Sequence, residues 1–192
     1  TLSCIKSIWK LHQDKYEIDI HVIDNNSGKV DIEFIEQAVN NSRMRITIHE
    51  EDVNHGFGGA INLVVDRIVK NYSPDYIFLI NPDACLKNYA ITILRDFLDK
   101  HPRAAAAVAR IYAPDSEPRC AAFRFPSVIG TFESTLSSWR VTQMLGNWEA
   151  ALPPIIPTQP VDWVSGAAVM LRLSSVQRAG LFDPTYFLYF EE

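Results

Sequence analysis

Between residues 18 and 111 the chain alternates short apolar runs with amphipathic helical stretches, and this rhythm limits the fold more than any other feature. Strands are predicted at 18–24, 44–48, 76–80 and 104–111, with helices at 32–39, 58–72 and 90–100 between them. In the second helix Ile61, Val64, Val65, Ile68 and Tyr72 recur on one face, the spacing of a helix that buries one side. Strands alternating with helices imply a parallel sheet joined by right-handed crossovers. Such a series normally opens with a strand. Here Leu2, Ile5, Ile8, Trp9 and His12 fall at helical spacing, and residue 1 is Thr. The expectation is that the first strand lies before Thr1, outside this chain.

The run Tyr76-Ile77-Phe78-Leu79-Ile80 reads as a buried strand and is followed at once by Asn81-Pro82-Asp83. Pro82 cannot donate to a sheet ladder, so the strand stops there and Asp83 stands on the turn past its carboxyl end. In open α/β sheets ligands bind at that edge. A carboxylate there suits a divalent cation that also holds phosphate oxygens. The alternative is that Asp83 merely caps the helix beginning near Asn88.

With 192 residues, of which 47% are hydrophobic, the chain can bury one sizeable core, so a single domain over residues 1–192 is expected. A net charge of −5 and the lack of a Lys/Arg cluster argue against a nucleic-acid surface. Cys4, Cys85 and Cys120 are odd in number and widely spaced, which points to reduced thiols in a cytoplasmic setting and away from a disulfide framework or zinc site. No apolar stretch reaches the roughly 18–20 residues that span a bilayer, and no signal peptide is expected.

After Ile111 the rhythm breaks. Residues 112–160 are rich in Pro and Ser with scattered aromatics, the character of a lid or binding surface. A strand is predicted from Ala167 to Leu173, then a short helix ended by Gly180. The chain thus divides within its single domain into residues 1–111 and 112–192.

Three constellations carry further chemistry. Val22-Ile23-Asp24-Asn25-Asn26-Ser27 ends a strand with polar groups. A carboxylate there can accept from the imide N–H of a uracil or thymine ring, while Asn and Ser reach its carbonyls or a ribose. An ordinary polar turn capping the next helix is the alternative. Asn54-His55-Gly56-Phe57-Gly58-Gly59-Ala60-Ile61-Asn62 is a glycine-rich turn opening a helix, which lets backbone approach a phosphate at a helix N-terminus. It has neither the dinucleotide spacing nor the Walker Gly-Lys-Ser/Thr, and it follows the acidic Glu50-Glu51-Asp52 instead of a strand. Glu191-Glu192 follows an aromatic run; walled by Tyr189 and Phe190, a carboxylate would be pushed above its ordinary range, as suits a general base. The alternative is a solvated acidic tail. The five histidines show no ligand spacing and read as surface or strand residues.

In order along the chain, VIDNNS (22–27), NHGFGGAIN (54–62), LINPDA (79–84), FRFPS (123–127), VDWVSGAAVMLRL (161–173) and GLFDPTYFLYFEE (180–192) resemble the family 2 glycosyltransferases. The resemblance is to the rhamnosyltransferase-like branch that builds bacterial surface polysaccharides, and it covers nearly the whole chain. It implies a GT-A fold: a Rossmann-like α/β architecture with a mostly parallel sheet flanked by helices, here without its first strand. It also implies a nucleotide-binding half over 1–111 and an acceptor-side half over 112–192, with the domain truncated at both chain ends.

On the matching positions, the resemblance implies that Asp24 reads the pyrimidine, with Asn26 and Ser27 nearby, and that Asn54, Gly56, Phe57 and Asn62 face the nucleotide-sugar. Asp83 is similar to the last acid of the family's Asp-x-Asp metal motif, with Asn81 in the first place, which implies Mg²⁺ or Mn²⁺ held with less charge than two carboxylates supply. Trp163, Ser165 and Gly166 look like the floor under sugar and acceptor. Glu191 and Glu192 fall on the family's Glu-Asp pair, whose second acid deprotonates the acceptor; Glu192 is one methylene longer than the usual Asp, so Glu191 stays open as the base. The implied partners are a dTDP- or UDP-sugar, rhamnose first, and a glycan or lipid-linked acceptor, with peripheral association at the inner face of the membrane. A non-catalytic nucleotide-sugar binding module is the alternative function. A nicotinamide oxidoreductase is disfavoured, since no acidic residue ends a strand at the needed offset after the glycines.

Overall fold

The computed structural model describes residues 1–12, 17–27, 35, 45–125 and 150–186. Helix α1 (Leu2–His12) is the first described element. It buries Cys4, Ile5 and Ile8 along one face. Strands β1 (Asp19–Asp24) and β2 (Arg45–Glu50) then pair in parallel, with Asp19 opposite Arg45 and Asp24 opposite Glu50. Of the helix predicted at 32–39 only Ile35 is described, and it is helical and 5% exposed.

Helix α2 (Gly56–Asn71) starts two residues earlier than its apolar pattern predicts. It buries Ala60, Ile61, Val64 and Val65, and after it the chain turns extended at Tyr72, two residues ahead of Pro74. Strand β3 (Tyr76–Ile80) stops where Pro82 requires. Helix α3 (Ala90–Lys100) buries Leu94 and Leu98 and ends one residue before His101-Pro102.

The sheet departs from simple alternation at one point. Strand β9 (Ala168–Arg172) lies between β3 and β4 (Ala106–Val108) and is antiparallel to both. Strands β3 and β4 therefore run in the same direction, as the crossover through α3 demands, but they are not neighbours. The architecture is mixed α/β, with a parallel pair and helices on the sheet. β3, expected to be buried, is half-exposed along its length, because among the described residues it has a strand partner on one edge only. Two short ladders complete the chain: β5 (Ile111–Tyr112) with β6 (Pro118–Arg119), and β7 (Ala122–Phe123) with β8 (Trp163–Val164). Helix α4 (Leu173–Ala179) ends at Gly180, whose φ of 84° favours glycine.

The core beneath α3 is Leu94, Leu98 and Met170, with Tyr76, Phe78, Ile91, Phe97 and Ala107 packed around it. Arg172, the last residue of β9, closes its rim. Its guanidinium donates to the carbonyls of Leu98 (2.6 Å) and Ala104 (3.2 Å) and to the Tyr76 hydroxyl (3.2 Å). The Leu98 carbonyl lies in the last turn of α3, where carbonyls lack intrahelical partners and attract cations.

Leu98 is 0% exposed, so Leu98→Ala should lower unfolding free energy by about 3–5 kcal/mol. Urea titration checks this, and a loss below about 1 kcal/mol would show that the core does not centre on α3.

Candidate active site at the strand ends

The polar turn after β1 and the glycine-rich turn before α2 form one unit. Asn25 joins them. Its Nδ2 donates to the Asn54 side-chain oxygen (2.9 Å) and to the Gly56 carbonyl (3.0 Å), while its Oδ1 accepts from the His55 amide (2.9 Å). Asn54 Oδ1 also accepts from the Gly56 amide at 2.9 Å, an Asx turn that leads into the helix. Gly56 has a φ of 72°, a conformation that other L residues adopt at a cost. A Cβ added to Gly59 would stand 3.2 Å from that of His55, so small residues let the first turn of α2 pack closely. The turn does follow a strand: β2 ends at Glu50, and the acidic Glu51-Asp52 belongs to the connection.

Asp24 closes β1. Its Oδ1 accepts from the Ser27 amide at 3.0 Å, and its carbonyl accepts from the Glu51 amide at 2.9 Å. Asn26 between them has a φ of 63°, a left-handed conformation that Asn tolerates. Asp24 is half-buried, whereas Asn26 and Ser27 are exposed. Below this turn Arg67 of α2 grips Glu51 with both terminal guanidinium nitrogens and holds its carboxyl below the usual range.

Phe57 and Asn62 both meet Phe182. The Phe57 ring meets that of Phe182 edge-on at 5.8 Å, and the Asn62 amide bonds both main-chain groups of Phe182: Nδ2 donates to its carbonyl (2.8 Å) and Oδ1 accepts from its amide (3.1 Å).

Asp83 is exposed on the turn past β3, and among the described residues no hydrogen bond or ion pair occupies its carboxylate. The Asn81 main chain is fixed, its amide donating to Ala167 and its carbonyl accepting from Ala84, each at 3.0 Å. Helix α1 docks beside this turn, with Ser7 Oγ accepting from the Leu86 amide at 2.9 Å. Burial pushes the Cys4 thiol up, and nearby Cys85 and Asp83 add to that shift. Among the described residues no three His, Cys, Asp or Glu side chains converge as a metal cluster. An exposed, unengaged carboxylate with a side-chain amide two residues earlier fits a cation whose remaining ligands are phosphate oxygens and water.

Trp163 stacks on Phe123 (4.0 Å, 11°) and donates from Nε1 to the Arg124 carbonyl at 3.0 Å. Asp162 accepts from the Phe125 amide at 2.9 Å. Ser165 pairs main chain with Ala121, its Oγ accepts from the Ala167 amide at 3.3 Å, and Gly166 is buried. Among the described residues no hydrogen bond joins Asp83 to Asp24 or to Trp163. Glu191 and Glu192 lie outside the described residues.

Sequence reasoning gave Asn25 and Phe182 no role. An Asn at a strand end facing an Asn before a glycine turn could have suggested the first. The second is a main-chain partner 120 positions from Asn62, and nothing local marks it. His21 and His49 stand on strands, as expected, and they also meet each other. His21 Nδ1 and His49 Nε2 are 2.9 Å apart with stacked rings, one on each strand of the parallel pair.

The Glycosyl transferase family 2 model matches residues 2–147, and the chain belongs to that family. It is 28% identical over 149 residues to the N-acetylglucosaminyl-diphospho-decaprenol L-rhamnosyltransferase of Mycobacterium tuberculosis, covering 72% of this chain and 48% of that protein. It is 27% identical over 145 residues to the rhamnosyltransferase WbbL of Escherichia coli, covering 72% of this chain and 52% of that one. The chain therefore spans about half the length of these curated relatives. The fold matches the mannosyltransferase PcManGT from Pyrobaculum calidifontis, solved with GDP-Man and Mn²⁺, with a TM-score of 0.59 at 14% identity over 94% of this chain and 42% of that one. The expected GT-A architecture is thus present.

Asn25→Ala removes the three bonds that join the two turns. It should lower unfolding free energy by about 1–3 kcal/mol and speed hydrogen exchange at the His55 amide by about tenfold or more. Unchanged exchange there would mean that the amide bridge does not hold the turn.

Burial, the main cause, pushes both His21 and His49 below the ordinary value of 6.5. Asp19 opposes this at His21; at His49 the charges of His21 and Arg67 reinforce it and Glu51 opposes it. The folded state therefore binds fewer protons than the unfolded state. The stability at stake is full above about 6.5 and is lost as pH falls through that value toward the folded pKa values. The urea midpoint should fall from pH 7.5 to 5.5, and His49→Gln should flatten the slope. An equal slope in the variant would remove the pair as its source.

Proposed function

We propose that this chain carries the catalytic domain of an inverting glycosyltransferase that moves a sugar, rhamnose first, from a dTDP- or UDP-linked donor to a glycan or lipid-linked acceptor. The observation that carries the reading is the Asn25 bridge, which makes the half-buried Asp24 carboxylate and the glycine-rich start of α2 one preorganised surface. A carboxylate beside backbone that a phosphate can approach closely is what a pyrimidine nucleoside diphosphate requires. The relatives' names support the sugar, and the lipid diphosphate in one of them supports the acceptor class. No helix among the described residues is long and apolar enough to cross a membrane. Action on a lipid-linked acceptor would bring the protein to the cytoplasmic face as a peripheral visitor.

In this reading Asp24 accepts from the imide of the base, with Asn26 and Ser27 at the ribose. Asn54, Gly56 and Phe57 shape the turn facing the donor. Asp83, with Asn81 beside it, would hold Mg²⁺ or Mn²⁺, which when bound supplies positive charge to the leaving diphosphate. Trp163, Ser165 and Gly166 lie under the sugar. Glu192, or Glu191 beside it, takes the proton of an acceptor hydroxyl. That oxygen bonds the anomeric carbon on the face opposite the diphosphate, the bond from that carbon to the diphosphate oxygen breaks, and the nucleoside diphosphate departs.

Calorimetric titration of the whole protein with dTDP and UDP, each with and without Mn²⁺, tests the donor site. Metal-dependent binding of either is expected, and a folded sample binding neither would end the transferase reading. Asp83→Ala and Glu192→Gln should each reduce transfer by roughly two to four orders of magnitude with the fold retained. Near-wild-type transfer would remove that residue from the mechanism. Binding without transfer or hydrolysis by the wild type would favour a non-catalytic binding module.

A further inference from the structure

Asn62 stands in the second turn of α2, the helix whose first turn carries the glycine-rich surface. Its amide takes both main-chain groups of Phe182, the donated bond at 2.8 Å and the accepted bond at 3.1 Å. Such a bidentate pairing fixes a peptide segment in direction as well as position, because both polar groups of one residue are engaged at once. The rings of Phe57 and Phe182 also meet edge to face at 5.8 Å. Beyond Phe182 the chain makes a tight turn. Asp183 Oδ1 accepts from the Thr185 amide (2.9 Å) and hydroxyl (2.7 Å), and these bonds hold its carboxyl below the usual range. Gly180, at a φ of 84°, lets the chain leave α4 toward this position. The segment so held leads in sequence, within ten residues, to Glu191-Glu192.

We infer that Asn62 is a positioning residue: it latches the Phe182 segment to the donor-side helix α2 and so sets where the chain departs toward the carboxylates that act on the acceptor. The inference rests on the proposed transferase reading. It replaces the nucleotide contact that the family resemblance implies for Asn62, whose oxygen and one N–H are already engaged within the protein. One helix then serves both substrates, with the donor at its first turn and the segment leading to the base at its second. A displacement of that segment by about an ångström would slow the chemical step by about ten- to a hundredfold without touching donor affinity.

The experiment compares wild-type whole protein with Asn62→Ala and Asn62→Asp. The Asp variant sets a carboxylate against the Phe182 carbonyl and so breaks the donated bond. It keeps the size of the side chain and the accepting oxygen, which makes it the variant to use where the Ala variant fails to fold. Three readouts are taken: dTDP affinity with Mn²⁺, kcat and KM for dTDP-rhamnose followed as dTDP release with a lipid-linked acceptor, and chymotryptic cleavage at Phe182 and Tyr186. Expected are an unchanged dTDP affinity and donor KM, a kcat about ten- to a hundredfold lower, and faster cleavage. Weaker dTDP binding with unchanged cleavage would make Asn62 a nucleotide contact and overturn the inference. So would an unchanged kcat in a folded variant. Wild-type protein that neither binds dTDP or UDP nor turns over dTDP-rhamnose would fail the transferase reading itself, and the inference with it; the cleavage rates would still report the latch.

Discussion

The main-chain hydrogen bonding of β9 is the constraint on which most of the described structure depends. β3 and β4 are joined in sequence by α3 but do not pair; among the described residues both are completed by β9, drawn from some sixty residues beyond β4. Unpaired backbone groups in a core cost as much as lost hydrogen bonds, so neither strand is stable as a sheet element without it. The site inherits this dependence. The turn that carries Asp83 starts at Asn81, whose amide is the next rung of the same ladder, donating to Ala167 just ahead of β9.

Arg172 extends that constraint to the helix layer. As the last residue of β9 it reaches the carboxyl-terminal carbonyls of α3 and the Tyr76 hydroxyl of β3. A guanidinium suits this place because its fixed fork of donors can satisfy several acceptors that a helix end leaves open. The Met170 side chain packs on the inner face of the same strand against Leu94 and Leu98. One strand thus supplies the sheet ladder, part of the core and the cap of the helix above it.

The elements were largely legible from local pattern, and for physical reasons. Apolar spacing revealed α2 and α3, Pro82 and Pro102 marked stops, and Gly180 marked the end of α4, because a helix face, a missing N–H and a positive φ are properties of neighbouring residues. The candidate site was legible in its residue types: Asp24, the Asn54–Gly56 turn and Asp83 all stand at strand or helix ends as their motifs imply. The partners were not legible. Asn25 acts through Asn54, His55 and Gly56, and His21 lies against His49, and neither pairing has a periodic signature because each crosses between segments. The insertion of β9 escaped for the same reason: its apolar run would suit any position in the sheet.

By itself, then, the sequence determined most of the succession of strands and helices, the stops at Pro82, Pro102 and Gly180, the polar groups held at those ends and, through motif order, the glycosyltransferase family. Local sterics, hydrogen-bonding capacity and side-chain spacing suffice for that. Tertiary structure alone decided that β9 separates β3 from β4, that Asn25 welds two turns into one surface, and that Asn62 pairs with the main chain of Phe182. Each of those choices sets one polar partner against competing ones across long stretches of chain. The competition is settled only when the whole core has packed and water has been removed as the alternative partner.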